Sequence, residues 1–152
     1  MYFERMIESA NRRLRAMTDG RYELVRRSVA ANKSAQSGLD LNVRDNYTGK
    51  ERDSGSLSGG ESFKASLALA LGLSDIAQSN AGGIKLDTMF IDEGFGSLDR
   101  QSLQLAIKTL TELSGGDKLI GIISHVDDLK DAIDRKIVVS KGRNGSTLRV
   151  EA

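Results

Sequence analysis

The sequence has no cysteine, no proline and no tryptophan, and aromatic residues make up only 5% of its 152 positions. The lack of cysteine excludes a disulfide framework and any thiolate zinc site. The lack of proline leaves linkers unstiffened. No apolar run approaches the ~20 residues needed to cross a bilayer. The opening MYFERMIESANRRLR carries acids where a signal peptide would be apolar. A cytoplasmic chain with no membrane partner is therefore expected. A global charge of one sign is also missing, because the net charge is +1. The distribution is uneven: residues 1–50 carry ten Lys/Arg against six Asp/Glu, and residues 51–152 carry twelve against fifteen. What remains is an ordinary globular composition, long enough for one domain with a real core.

Helical spacing of Phe3, Met6, Ile7, Ala10, Leu14 and Met17 predicts an amphipathic helix over 3–17, stopped at Gly20. Tyr22–Val29 reads as a strand, and 30–38 as a turn. Leu39, Leu41 and Val43 alternate with polar residues, so a second strand can pair antiparallel with the first. Residues 46–56 are polar and aperiodic and read as a long exposed loop. A buried helix is expected from Gly59 through SLALALGL, lying between a sheet and another layer, and ending at 80–83. TMFI predicts a short strand ending at Asp92–Glu93, followed by a helix over about 100–114 closed by Gly115 and Gly116. LIGIIS reads as a fully buried strand, with a short helix after His125. KIVVS and STLRV read as a hairpin turned at 142–145. Together these predict an α/β fold with a mostly parallel sheet flanked by helices.

Residues 55–62, GSLSGGES, miss the phosphate-loop pattern because Glu61 stands where the lysine belongs. A carboxylate there repels phosphate, and nothing else in the chain fits the pattern. FIDEGFGSLD lacks the third glycine of a dinucleotide fingerprint.

Four segments carry chemistry. In LSGGE, 57–61, Ser58, Gly59 and Gly60 offer a hydroxyl and backbone N–H groups at a helix start. The same residues also suit a plain capping box between Ser58 and Glu61. TMFIDE delivers Asp92 and Glu93 at a strand end: either a solvated acidic pair, or a Mg²⁺ ligand followed by a residue that polarises water. Asp99, in GFGSLD, is either a helix N-cap or part of a working loop. His125, the only histidine, emerges from a strand and is either structural or directed at a phosphate or the attacking water.

In this order and context, the four segments resemble the second half of an ABC-type ATPase head. LSGGE resembles the signature, TMFIDE resembles Walker B with its catalytic glutamate, GSLD the D-loop, and Ser124–His125 the switch histidine. Together with ANRRLRAMTDGRYEL, they are similar to the C-terminal head lobe of SbcC-type ATPases of the DNA-repair and chromosome-maintenance branch. That resemblance implies a coiled-coil re-entry helix over 1–19 and a head lobe over 20–152. It implies ATP and Mg²⁺ as cofactors. Asp92 would hold Mg²⁺, Glu93 would activate water and His125 would steady the γ-phosphate. Ser58, Gly59 and Gly60 would close over the nucleotide of a second head, and Asp99 would lie at the dimer seam. The implied partners are an N-terminal Walker A lobe, a second head, an SbcD-like nuclease and double-stranded DNA. Other branch members, and a non-catalytic scaffold that dimerises on nucleotide, share the pattern. Arg12, Arg13 and Arg15 are either coiled-coil surface or a contact for DNA or the nuclease.

Overall fold

The computed structural model describes residues 2–27, 41–80, 87–115, 118–143 and 145–151. The elements run α1 (Tyr2–Met17), β1 (Tyr22–Arg26), β2 (Leu41–Asp45), β3 (Lys50–Asp53), α2 (Gly59–Asn80) and β4 (Thr88–Asp92). They continue with α3 (Arg100–Ser114), β5 (Leu119–Ile123), α4 (Asp127–Ala132), β6 (Lys136–Gly142) and β7 (Gly145–Glu151). The turn expected over 30–38, the end of the first strand, Leu39, the close of α2 over 81–83 and Gly116 lie outside the described residues.

The amphipathic pattern of α1 buries Ile7, Ala10, Leu14 and Met17 in one core with Leu67, Ala68 and Leu71 of α2. Gly72 permits this packing: a Cβ there would lie 2.8 Å from both Ala10 N and Met6 O. Buried Asn11 then fastens β1 to α1. Its Nδ2 donates to Leu24 O (2.9 Å), and Leu24 N donates back to Oδ1 (2.8 Å). The helix ends through left-handed Asp19 and Gly20, at φ +50 and +75, with Gly20 N donating to Arg15 O. Arg13 is drawn inward to Asp75 of α2 (2.6 Å), whereas Arg12 and Arg15 stay exposed.

β1, β2 and β3 form an antiparallel sheet. The expected loop over 46–56 is therefore corrected: 46–49 is a turn, 50–53 is the edge strand β3 and 54–56 is a single 3-10 turn. Gly49, at φ +68, and the Asp45 carboxylate, which accepts from Tyr47 N, build that turn. The strand Lys-Glu-Arg-Asp has no apolar alternation to betray it. Backbone pairing and the Arg44–Glu51 cross-strand pair (2.7 Å) hold it.

β4 and β5 pair in parallel, Thr88 opposite Leu119 through Asp92 opposite Ile123. β6 and β7 pair antiparallel. The α/β class holds. Parallel pairing occurs where Asp92 and Glu93 lie, and among the described residues the other three strand pairs are antiparallel. β5 is not fully buried as expected: Ile120 and Ile122 face the core, while Leu119 and Ile123 stand exposed beside exposed Phe90. The hairpin likewise presents Ile137, Val139, Leu148 and Val150, each about 70% exposed. The helix α2 is buried on one side only, with Leu73 and Ala70 outward. Among the described residues, no layer covers these faces. Among the described residues, no helix is long and apolar enough to cross a membrane.

Candidate functional site

The strand β4 alternates Met89 and Ile91 inward with Thr88, Phe90 and Asp92 outward. The chain leaves it through two left-handed residues, Glu93 at φ +58 and Gly94 at φ +95. That conformation is uncommon for glutamate, and such residues concentrate at working sites. Glu93 N still donates to Ile123 O (2.9 Å), so the turn is an extension of the parallel pair. A side chain at position 94 would run into the Phe63 ring from α2. Phe63 packs edge-on against fully buried Phe95, with ring centroids 4.9 Å apart. The helix α2 is thereby seated on the turn that carries Glu93.

His125 follows the end of β5, and its Nδ1 lies 3.2 and 3.0 Å from Glu93 Oε1 and Oε2. A proton on Nδ1 donates to that carboxylate and leaves Nε2 free for another group. Both side chains are solvent-accessible, as is Asp92. The structure thus brings Glu93 and His125 together, with Asp92 adjacent in sequence.

The other expected residues gather at a second place. The capping box forms as expected: Ser58 N donates to Glu61 Oε2 (2.9 Å), and Glu61 N to Ser58 Oγ (3.3 Å). Gly60 closes on the loop before α3, where a Cβ would lie 2.8 Å from Ser97 O. Asp99 is the N-cap of α3, accepting from Ser102 N (2.8 Å) and from Ser102 Oγ (3.0 Å). Those bonds, and the Lys64 ammonium nearby, hold its carboxyl below the usual carboxylate range. A cavity of about 750 Å³ joins Ser58, Gly59 and Gly60 to Ser97 and Asp99, with Arg21 on its wall. Asp92, Glu93 and His125 do not line it.

Sequence reasoning missed what holds the loop at the start of α2. Glu61 accepts not only from Ser58 but from Tyr22 OH (2.5 Å) and Arg52 (3.0 Å). Burial by itself raises this carboxyl; the Tyr22, Ser58 and Arg52 bonds outweigh it and bring it down to about 2. Burial, reinforced by Glu61, pushes the Tyr22 phenol up to about 12. Arg21 and Arg52 both lie over the Tyr22 ring, at 4.8 and 5.4 Å from its centroid. Sequence reasoning also passed over Lys64, a single cation inside the apolar helix α2 and only 8% exposed.

A family model described as "SbcC/RAD50-like, Walker B motif" matches residues 32–112, more than half of the chain. The chain belongs to this family. A similar protein, the SbcC component of the SbcCD nuclease of Vibrio cholerae serotype O1, is 57% identical over 141 residues, or 93% of this chain. Its namesake from Staphylococcus aureus (strain Newman) is 46% identical over 148 residues, or 97% of the chain. The chain spans 14% of the length of each.

Among solved structures, one from work on ATP-driven dimerisation and DNA-stimulated activation of SMC ATPases matches 99% of this chain and 85% of its own. Its TM-score is 0.76 at 16% identity. The SMC head domain from Thermotoga maritima matches 98% of this chain and 48% of its own, with a TM-score of 0.65 at 21% identity. These likenesses show the SMC-head fold.

The Walker B motif of an SbcC/RAD50-like protein implies ATP and Mg²⁺. The residues present fit that pair. Asp92 and Glu93 offer hard oxygen donors at a strand end, suited to Mg²⁺. Among the described residues no three acidic, histidine or cysteine side chains converge on one point. A single carboxylate with phosphate and water oxygens is how Mg²⁺ is ordinarily held beside a nucleotide.

Proposed function

We propose that this chain is the C-terminal half of an ATP-hydrolysing head. On this reading the head dimerises around ATP and governs an SbcD-like nuclease acting on double-stranded DNA in the cytoplasm. The observation that carries the reading is the Glu93–His125 contact at the end of the parallel pair, one residue beyond Asp92. ATP with Mg²⁺ would supply the phosphoryl group and neutralise its developing charge. Asp92 holds the metal, and Glu93 accepts a proton from the attacking water. His125 donates from Nδ1 to the Glu93 carboxylate, and its Nε2, when it too carries a proton, donates to a γ-phosphate oxygen.

Ser58, Gly59 and Gly60 serve the nucleotide of the second head, with Asp99 at the seam between heads. Their separation from Glu93 in the fold supports this division, since the cavity they line excludes the Walker B acids. Hydrolysis then depends on association, and loss of the γ-phosphate loosens the dimer. The exposed apolar faces of β4–β5 and β6–β7 support an N-terminal Walker A lobe as the covering partner. Residues 1–19 are then the foot of a coiled coil, and 20–152 the lobe it enters.

The test measures ATPase and dimerisation of this chain with and without the Walker A lobe. Negligible turnover alone and restored turnover in the mixture are expected. Turnover at an enzymatic rate by the chain alone would overturn the division of labour. Nucleotide-dependent dimerisation without hydrolysis would favour the scaffold reading.

A further inference from the structure

Lys64, only 8% exposed, is the one cation of helix α2, and it lines the cavity beside Ser58, Gly59 and Gly60. Its Nζ donates to Ser102 Oγ (2.9 Å), and that hydroxyl donates to Asp99 Oδ2 (3.0 Å). Ser102 N meanwhile donates to Asp99 Oδ1 (2.8 Å). Capping α3 needs only the bond to Oδ1. The engagement of Oδ2, through a hydroxyl to a buried cation on another helix, goes beyond capping. Such a chain of donors from a cation to an anion is stronger than its neutral counterparts. The two segments touch at a second point, where Gly60 closes on Ser97 O and the Leu98 side chain. Two attachments fix an orientation that one leaves free.

We propose that Lys64 is a positioning residue: through the Ser102 hydroxyl it ties Asp99 to the signature helix. The signature loop and the D-loop then meet the nucleotide of the opposing head as one rigid unit. This rests on the functional reading above, and the test separates the two.

The complete protein carrying this lobe is prepared with Lys64→Met, with Ser102→Ala and with both. Ser102→Ala keeps the lysine and the backbone cap, so it serves if Lys64→Met fails to fold. Two quantities are read: the titration midpoint of the Asp99 carboxyl by carbon NMR, and steady-state ATP hydrolysis. In each single variant the Asp99 midpoint should rise. The kcat should fall about tenfold, the factor of one net charge-assisted hydrogen bond, with KM for ATP changed less than about twofold. The double variant should be no worse than the worse single one, because the residues act as a unit. An unshifted Asp99 midpoint, or losses that multiply in the double variant, would overturn the tie. So would an unchanged kcat beside a lowered thermal midpoint, which is the signature of a purely structural lysine. Absence of ATP turnover in the unsubstituted protein would sink the functional reading instead, and the Asp99 titration then decides the tie alone.

Discussion

Glu61→Gln tests the physical account of the signature loop most directly. The carboxylate is one-fifth exposed and accepts from Tyr22 OH, Ser58 N and Arg52. Glutamine keeps the shape but removes the charge that strengthens all three bonds. The distance from an ordinary 4.5 to about 2 corresponds to a ceiling of ~3 kcal/mol. Solvent reaching the exposed part of the group lowers this to ~2 kcal/mol. The Tyr22 displacement reports the same bond and is not added. At ~2–4 °C per kcal/mol for a chain of this size, the variant should melt ~4–8 °C below the parent at neutral pH. The folded value lies below the unfolded one, so the stabilisation is complete above pH 4.5 and disappears as pH falls towards about 2. Thermal unfolding followed by circular dichroism across that window should show the gap between parent and variant closing. A gap that is constant from neutral pH to about pH 2 would refute the assignment of Glu61 as a strongly held anion.

Three further outcomes are expected. In the assembled head, Glu93→Gln should retain ATP binding while turnover falls by ~10²-fold or more, measured by single-turnover hydrolysis; unchanged hydrolysis would remove Glu93 from its role. Gly72→Ala places a methyl against the α1 backbone at Ala10 and Met6, neither of which can yield. Urea unfolding should register a loss of ~1–3 kcal/mol, the cost of overpacking. Pairing Val139→Lys with Leu148→Glu puts opposite charges on facing hairpin positions. Both sites are exposed, so the melting point of the lobe should hardly move. Association with the Walker A lobe should weaken more than about tenfold by titration calorimetry, because a charged pair must then be desolvated.

The sequence alone determined the elements whose signal is local. The spacing of Ile7, Ala10, Leu14 and Met17 records which face of α1 meets the core, and Ser58 with Glu61 marks the start of α2 within four residues. The run from Thr88 to Asp92 and the hairpin at 142–145 were legible for the same reason. The four candidate segments each lie on contiguous residues at the end of an element, which is why they could be singled out from the sequence. β3 was not legible, since an edge strand needs backbone partners rather than an apolar period. The half-bare β5 was misread because an apolar run states only that a strand seeks cover, not that cover is present.

Tertiary structure decided the contacts between distant elements. It set His125 on Glu93 across 32 residues, Tyr22 on Glu61 across 39 and Lys64 on Ser102 across 38. No periodicity encodes such pairs. The first follows from the parallel register of β4 and β5, whereas the other two depend on how α2 is rotated against its neighbours, which close packing at Gly72 and around Phe63 fixes only once the chain has folded.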